Sequence, residues 1–95
     1  MLYLNVWLTV KEKNQVPTVK SLLAEGAKLS RQEPGCVRFE VYHSTADESK
    51  FLLSERWESP AALDVHRTAQ AYTTIYQPKV LPLVTRDGHP CTLVE

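Results

Sequence analysis

Residues 2 to 10 alternate without a break, with Leu2, Leu4, Val6, Leu8 and Val10 on one face and Tyr3, Asn5, Trp7 and Thr9 on the other. A period of two held over nine residues, in β-branched and aromatic types, commits this stretch to a strand with one fully apolar face. The second face carries two large aromatics, so it too is expected to meet something other than bulk water.

The remaining elements follow from changes of period. Val16, Val19, Leu22, Leu23, Gly26 and Ala27 recur at helical spacing, which predicts a helix over 14–32 with Asn14 as its cap and Pro17 in its first turn. Glu33-Pro34-Gly35 stops that helix, because proline restricts the residue before it and glycine permits a reversal. Alternation returns over 36–44 and 50–58, joined by a polar segment of hairpin length. Ser59-Pro60 then starts a second helix bearing Leu63 and His66, since serine caps and proline suits the first helical position. A further helical piece over 70–77 is broken by Pro78 and Pro82, Arg86 to Pro90 reads as a turn, and Cys91 to Val94 as a short last strand. The resulting order, β-α-β-β-α-β, is the ferredoxin-like α+β arrangement, with helices on one face of an antiparallel sheet.

Ninety-five residues make one domain, 1–95. A chain of 10.8 kDa buries about 65% of its unfolded surface, a thin margin for a monomer. Pairing two open sheet faces in a symmetric dimer would supply the missing burial, so a homodimer is expected. Eleven basic residues balance eleven acidic ones, which argues against a nucleic-acid partner. No apolar run is long enough to cross a membrane, and no secretory signal opens the chain. Cys36 and Cys91 form neither a CxxC pair nor a disulfide framework, which fits a cytoplasmic protein. Metal-ligand spacing is missing, and three dispersed glycines provide no phosphate-cradling loop, so no cofactor is expected.

Three segments in order carry a family resemblance. They are Glu33-Pro34-Gly35-Cys36-Val37-Arg38-Phe39-Glu40-Val41, then Phe51-Leu52-Leu53-Ser54-Glu55-Arg56-Trp57, then Ser59 to Leu63 with His66. Together they resemble the antibiotic biosynthesis monooxygenase domain family, over residues 1 to about 83. The resemblance implies a ferredoxin-like protomer in a dimeric α+β barrel. It also implies chemistry in the range of cofactor-independent oxidation of quinols or anthrones, haem degradation, or isomerisation of a phosphorylated signal molecule.

His66 is the first candidate for catalysis. An imidazole can move a proton near neutral pH, bond a substrate oxygen or ligate haem, and the alternative is a packed histidine bonded locally. Glu55 and Trp57 share a strand face. A desolvated carboxylate can act as a base and an indole can wall an aromatic substrate, whereas a core anchor and a paired carboxylate would serve only the fold. The resemblance matches Asn5 to a strand-one asparagine that holds a substrate oxygen or dioxygen. If the face of Tyr3 and Trp7 meets a second sheet, Asn5 is instead a dimer residue. Tyr72 and Phe39 complete the substrate-binding candidates, Tyr72 being matched by the resemblance to an aromatic that closes the cavity.

The leading expectation is a cofactor-independent monooxygenase that takes a small aromatic substrate and dioxygen. Rivals are a haem-degrading oxygenase, an isomerase using Arg56 and Arg67 as pocket cations, and a non-catalytic ligand-binding or stress protein. Tyr42 and His43 are weaker candidates, and neither cysteine has a neighbouring histidine to make it a nucleophile.

Overall fold

A computed structural model describes residues Met1–Glu95. Strand β1, Leu2–Val10, leads through a tight turn at Lys13–Gln15 into helix α1, Val16–Ser30. Strands β2, Cys36–His43, and β3, Lys50–Trp57, form the hairpin, and helix α2 spans Pro60–His66. A wide helix α3, Ala71–Val80, precedes β4, Val84–Cys91. The sheet order is β2-β3-β1-β4 with every pairing antiparallel. This is the ferredoxin-like α+β architecture expected from the order of elements.

The pleat of β1 falls as its alternation requires. Leu4, Val6, Leu8 and Val10 are buried with Val19, Leu23 and Ala27 of α1 and Ile75 and Val80 of α3. On β3 the same face carries Phe51, Leu53, Glu55 and Trp57, all buried. The opposite face has no helix over it. Trp7 is 39% and Tyr42 47% exposed there, and Leu52 sits between them in register. No helix is long and apolar enough to cross a membrane.

Local chemistry explains the joints. Ser59 Oγ accepts the Ala62 amide at 3.2 Å, capping α2 with Pro60 in its first turn. In the hairpin, Ser44 Oγ accepts the amides of Ala46 and Asp47, while Asp47 accepts from Ser49. Gly35 adopts φ +80°, and a Cβ there would lie 2.5 Å from Ala62 Cβ. Only glycine combines that backbone with that approach of α2.

Three local expectations are corrected. Asn14 does not cap α1; it lies in the tight turn, and Gln15 stands at the cap position. Pro78 does not end the third helix. There the Leu81 amide bonds Tyr76 O, five residues back, and this wider winding relieves the contact a proline ring would make with the carbonyl four residues earlier. The last strand is not Cys91–Val94 after a turn, because Arg86 to Pro90 themselves belong to β4 and pair with β1 from Asn5↔His89 to Leu8↔Arg86. β4 is an edge strand, where glycine and proline are tolerated since one side of the backbone has no partner to satisfy.

Candidate functional site

Between the inner sheet face and helices α1 and α3 lies a cavity of about 270 Å³. At about 30 Å³ per liquid water, that is the room of roughly nine waters. Its wall is mostly apolar, and the polar residues that line it are Ser30, Glu55, His66, Arg67, Tyr72, Tyr76 and Arg86. An apolar cleft with a few convergent polar groups is the ordinary form of a small-molecule site.

His66 closes α2 and is 6% exposed. Its Nδ1 lies 2.6 Å from Glu33 Oε1, with Glu33 in the segment that follows α1. A carboxylate can only accept, so Nδ1–H donates to Glu33 and Nε2 is the ring nitrogen left for a ligand. Nε2 has no protein partner, yet no buried side-chain nitrogen or oxygen is left unsatisfied. Nε2 therefore keeps some accessible surface, and His66 is part of the cavity wall. Rings fix the imidazole from three sides: Trp57 at 4.5 Å between centroids, Phe39 at 5.8 Å, and Tyr72 edge-on at 5.8 Å.

Glu55 is 5% exposed, and Trp57 Nε1 donates to its Oε1 at 3.0 Å. Burial pushes the Glu55 carboxyl above the usual carboxylate range, against the weaker opposing pull of the Trp57 hydrogen bond and of His66. Burial also raises the Tyr76 phenol, and the Arg86 guanidinium works against it.

The structure thus gathers His66, Glu55, Tyr72 and Phe39 at one cavity. Trp57 differs from the sequence reading. It is 0% exposed and packs behind His66 and Glu55, so it positions both groups without forming the cavity wall. Asn5 lies on the opposite sheet face, where Nδ2 donates to Cys91 Sγ at 3.4 Å. It shares no wall with His66. Of the two expected cations, Arg67 reaches the cavity, whereas Arg56 lies over the Tyr3 ring at 5.2 Å on the outer face.

Sequence reasoning missed Glu33, Tyr76 and Arg86. In the sequence Glu33 reads as part of a helix stop and of the family segment, and Arg86 as part of a turn. Cys36 has its thiol pushed up to about 11, by burial first and then by Glu33 and Glu55, so it stays protonated at neutral pH. Both cysteines are free. His43 stacks on Phe51 at 4.2 Å and bonds Glu48 O, far from the cavity wall.

The antibiotic biosynthesis monooxygenase family matches the chain over residues 1–77. The chain belongs to that family. Among sequence relatives, the Mycobacterium tuberculosis protein Rv0793, whose name proposes a monooxygenase, is 37% identical over 68 residues, 72% of this chain and 65% of that protein. An uncharacterised Synechocystis protein is 43% identical over 37 residues, 39% of this chain and 25% of its own length. The match therefore spans less than two thirds of either relative. The crystal structure of an antibiotic biosynthesis monooxygenase superposes at TM-score 0.91 with 23% identity over the full length of both chains. This family member also shares its fold with SnoaB, a cofactor-independent oxygenase from Streptomyces nogalater, at TM-score 0.84 and 15% identity, covering 99% of this chain and 93% of SnoaB.

Proposed function

We propose that the protein is a monooxygenase for a small aromatic of the quinol, naphthol or anthrone type, whose substrate supplies its own electrons. The observation that carries this reading is the Glu33–His66 pair, which fixes an imidazole in the wall of an apolar cavity with Nε2 free of protein partners. Family membership supports oxygen chemistry as the class of reaction.

The chemistry follows from those groups. Nε2 takes a proton from the substrate hydroxyl or its activated C–H, and Glu33 stabilises the imidazolium that results. The electron-rich anion then reacts with dioxygen at carbon to give a peroxide. His66 returns its proton to the peroxide. Loss of the second hydrogen from the same carbon then forms the carbonyl as the O–O bond breaks, and the departing hydroxide leaves as water with that second proton. The substrate loses two hydrogens and gains one oxygen, and one dioxygen is consumed. Glu55, whose charged form burial disfavours, lines the same wall, and the apolar lining excludes water from the anion.

Haem degradation fits less well, because three rings pack the imidazole at its sides. Dimerisation through the outer sheet face belongs to the same proposal, supported by the Tyr3, Trp7, Leu52 and Tyr42 surface, with Asn5 inside that interface. A cytoplasmic setting is consistent with two free thiols.

Incubation with anthrone under ¹⁸O-labelled dioxygen tests the reaction. One labelled oxygen in the anthraquinone formed, at a rate well above the spontaneous one, is the expected result. Enzyme-independent oxidation across a panel of quinols, naphthols and anthrones would contradict it.

A further inference from the structure

Arg86 is a cation without an assigned task. It projects from the inner face of β4 to the mouth of the cavity, where it lies close enough to the Tyr76 phenol to favour its ionised form. It belongs to none of the chain's ion pairs. The other cation at the wall, Arg67, has Asp64 only at 3.8 Å, with Arg67 about half exposed and Asp64 mostly in solvent. Glu55 is the one carboxylate lining the cavity, and burial disfavours its charged form. Two cations against one carboxylate give the mouth a net positive field over an apolar interior.

The position of Arg86 is built into its strand. Gly88, two residues on and so on the same face, leaves the space that the guanidinium occupies. A Cβ at Gly88 would lie 2.6 Å from Arg86 Nη1 and 2.8 Å from Cζ and Nη2. Gly88 has no left-handed backbone to explain it. Its missing side chain is what lets the planar fork lie across the strand.

We propose that Arg86, seated over Gly88, is a specificity determinant that selects aromatic substrates bearing a carboxylate, holding the acid at the cavity mouth with the ring inside. A guanidinium fork matches a carboxylate with two parallel hydrogen bonds, which gives orientation as well as attraction. The ring then lies inward, toward His66 and Glu55. This inference rests on the cavity being the substrate site, as in the proposed oxygenase reading.

Equilibrium binding without oxygen separates the two ideas, because no turnover is needed. Calorimetric titration of wild type with 3-hydroxy-2-naphthoate and with 2-naphthol compares ligands that differ only in the carboxylate. The expected preference is about tenfold for the acid, the scale of one charge-assisted interaction. Arg86→Ala abolishes the preference, the acid losing more affinity than 2-naphthol, and Arg86→Lys keeps part of it. Gly88→Ala, whose three nearest contacts all belong to the movable end of Arg86, leaves thermal stability nearly unchanged and reduces the preference severalfold. Equal binding of both compounds to wild type, or a preference that survives in Arg86→Ala, overturns the inference and leaves the oxygenase reading standing. Failure of both compounds to bind overturns the inference together with the cavity's role.

Discussion

Glu33 and His66, thirty-three positions apart in the chain, meet at 2.6 Å on the inner side of the sheet. One residue leaves the end of α1 and the other closes α2, so the contact exists only when the Gly35 reversal and the Ser59 cap are both in place. Function and fold are therefore tied at this pair.

Truncating the acceptor should release the imidazole. Glu33→Ala is expected to lower kcat by about 10- to 100-fold, the usual penalty for losing a partner that orients a functional imidazole. Glu33→Gln, which still offers an oxygen to Nδ1–H, should recover part of the loss, with KM little changed in either variant. Steady-state kinetics on a turned-over aromatic checks this.

The reversal itself can be probed. Gly35→Ala faces both a left-handed backbone and the Ala62 Cβ at 2.5 Å. Backbone strain and overpacking together should cost about 2 to 4 kcal/mol. Urea unfolding would show it, and activity should fall further than stability explains because Glu33 is displaced.

Glu55 predicts an unusual pH dependence. Its folded pKa is raised above the ordinary 4.5, so the native state holds this proton more tightly than the unfolded chain does. Its stabilising contribution is full below about pH 4.5 and is lost as the pH rises through the folded value. Glu55→Gln cannot ionise and still accepts from Trp57. Relative to wild type it should gain stability between pH 4 and 7, read from urea midpoints at each pH, whereas a relative loss with rising pH would contradict the assignment.

Assembly rests on the outer face. Trp7→Glu places a charge among Tyr3, Leu52 and Tyr42, where a second sheet would have to desolvate it. Sedimentation should find wild type as a dimer and the variant as a monomer with unchanged secondary structure. A monomeric wild type would remove the dimer from the account.

Much of this was legible in the chain. The alternation of Leu2 to Val10 and of Phe51 to Trp57 placed both central strands, and the Ser59-Pro60 start placed His66. What sequence patterns could not carry was long-range. Glu33 reads as punctuation until α2 folds against it, and only the E-P-G-C segment of the family resemblance hinted at more. Arg86 was concealed because Asp87-Gly88-His89-Pro90 has the composition of a turn, yet pairing with β1 at a sheet edge outweighs that local preference. Asn5 carried its answer in the pleat it shares with Tyr3 and Trp7. Trp57 was placed on the correct face, but burial to 0% exposure depended on rings from β2 and α2.

The most direct test of the central claim is oxygen uptake, without added cofactor, by wild type and His66→Ala side by side on a panel of quinols, naphthols and anthrones. The account predicts uptake well above the spontaneous rate for at least one compound, and a loss of about 10²- to 10⁴-fold in the variant, the range for removing a general base. Uptake that persists unchanged without His66 would contradict it.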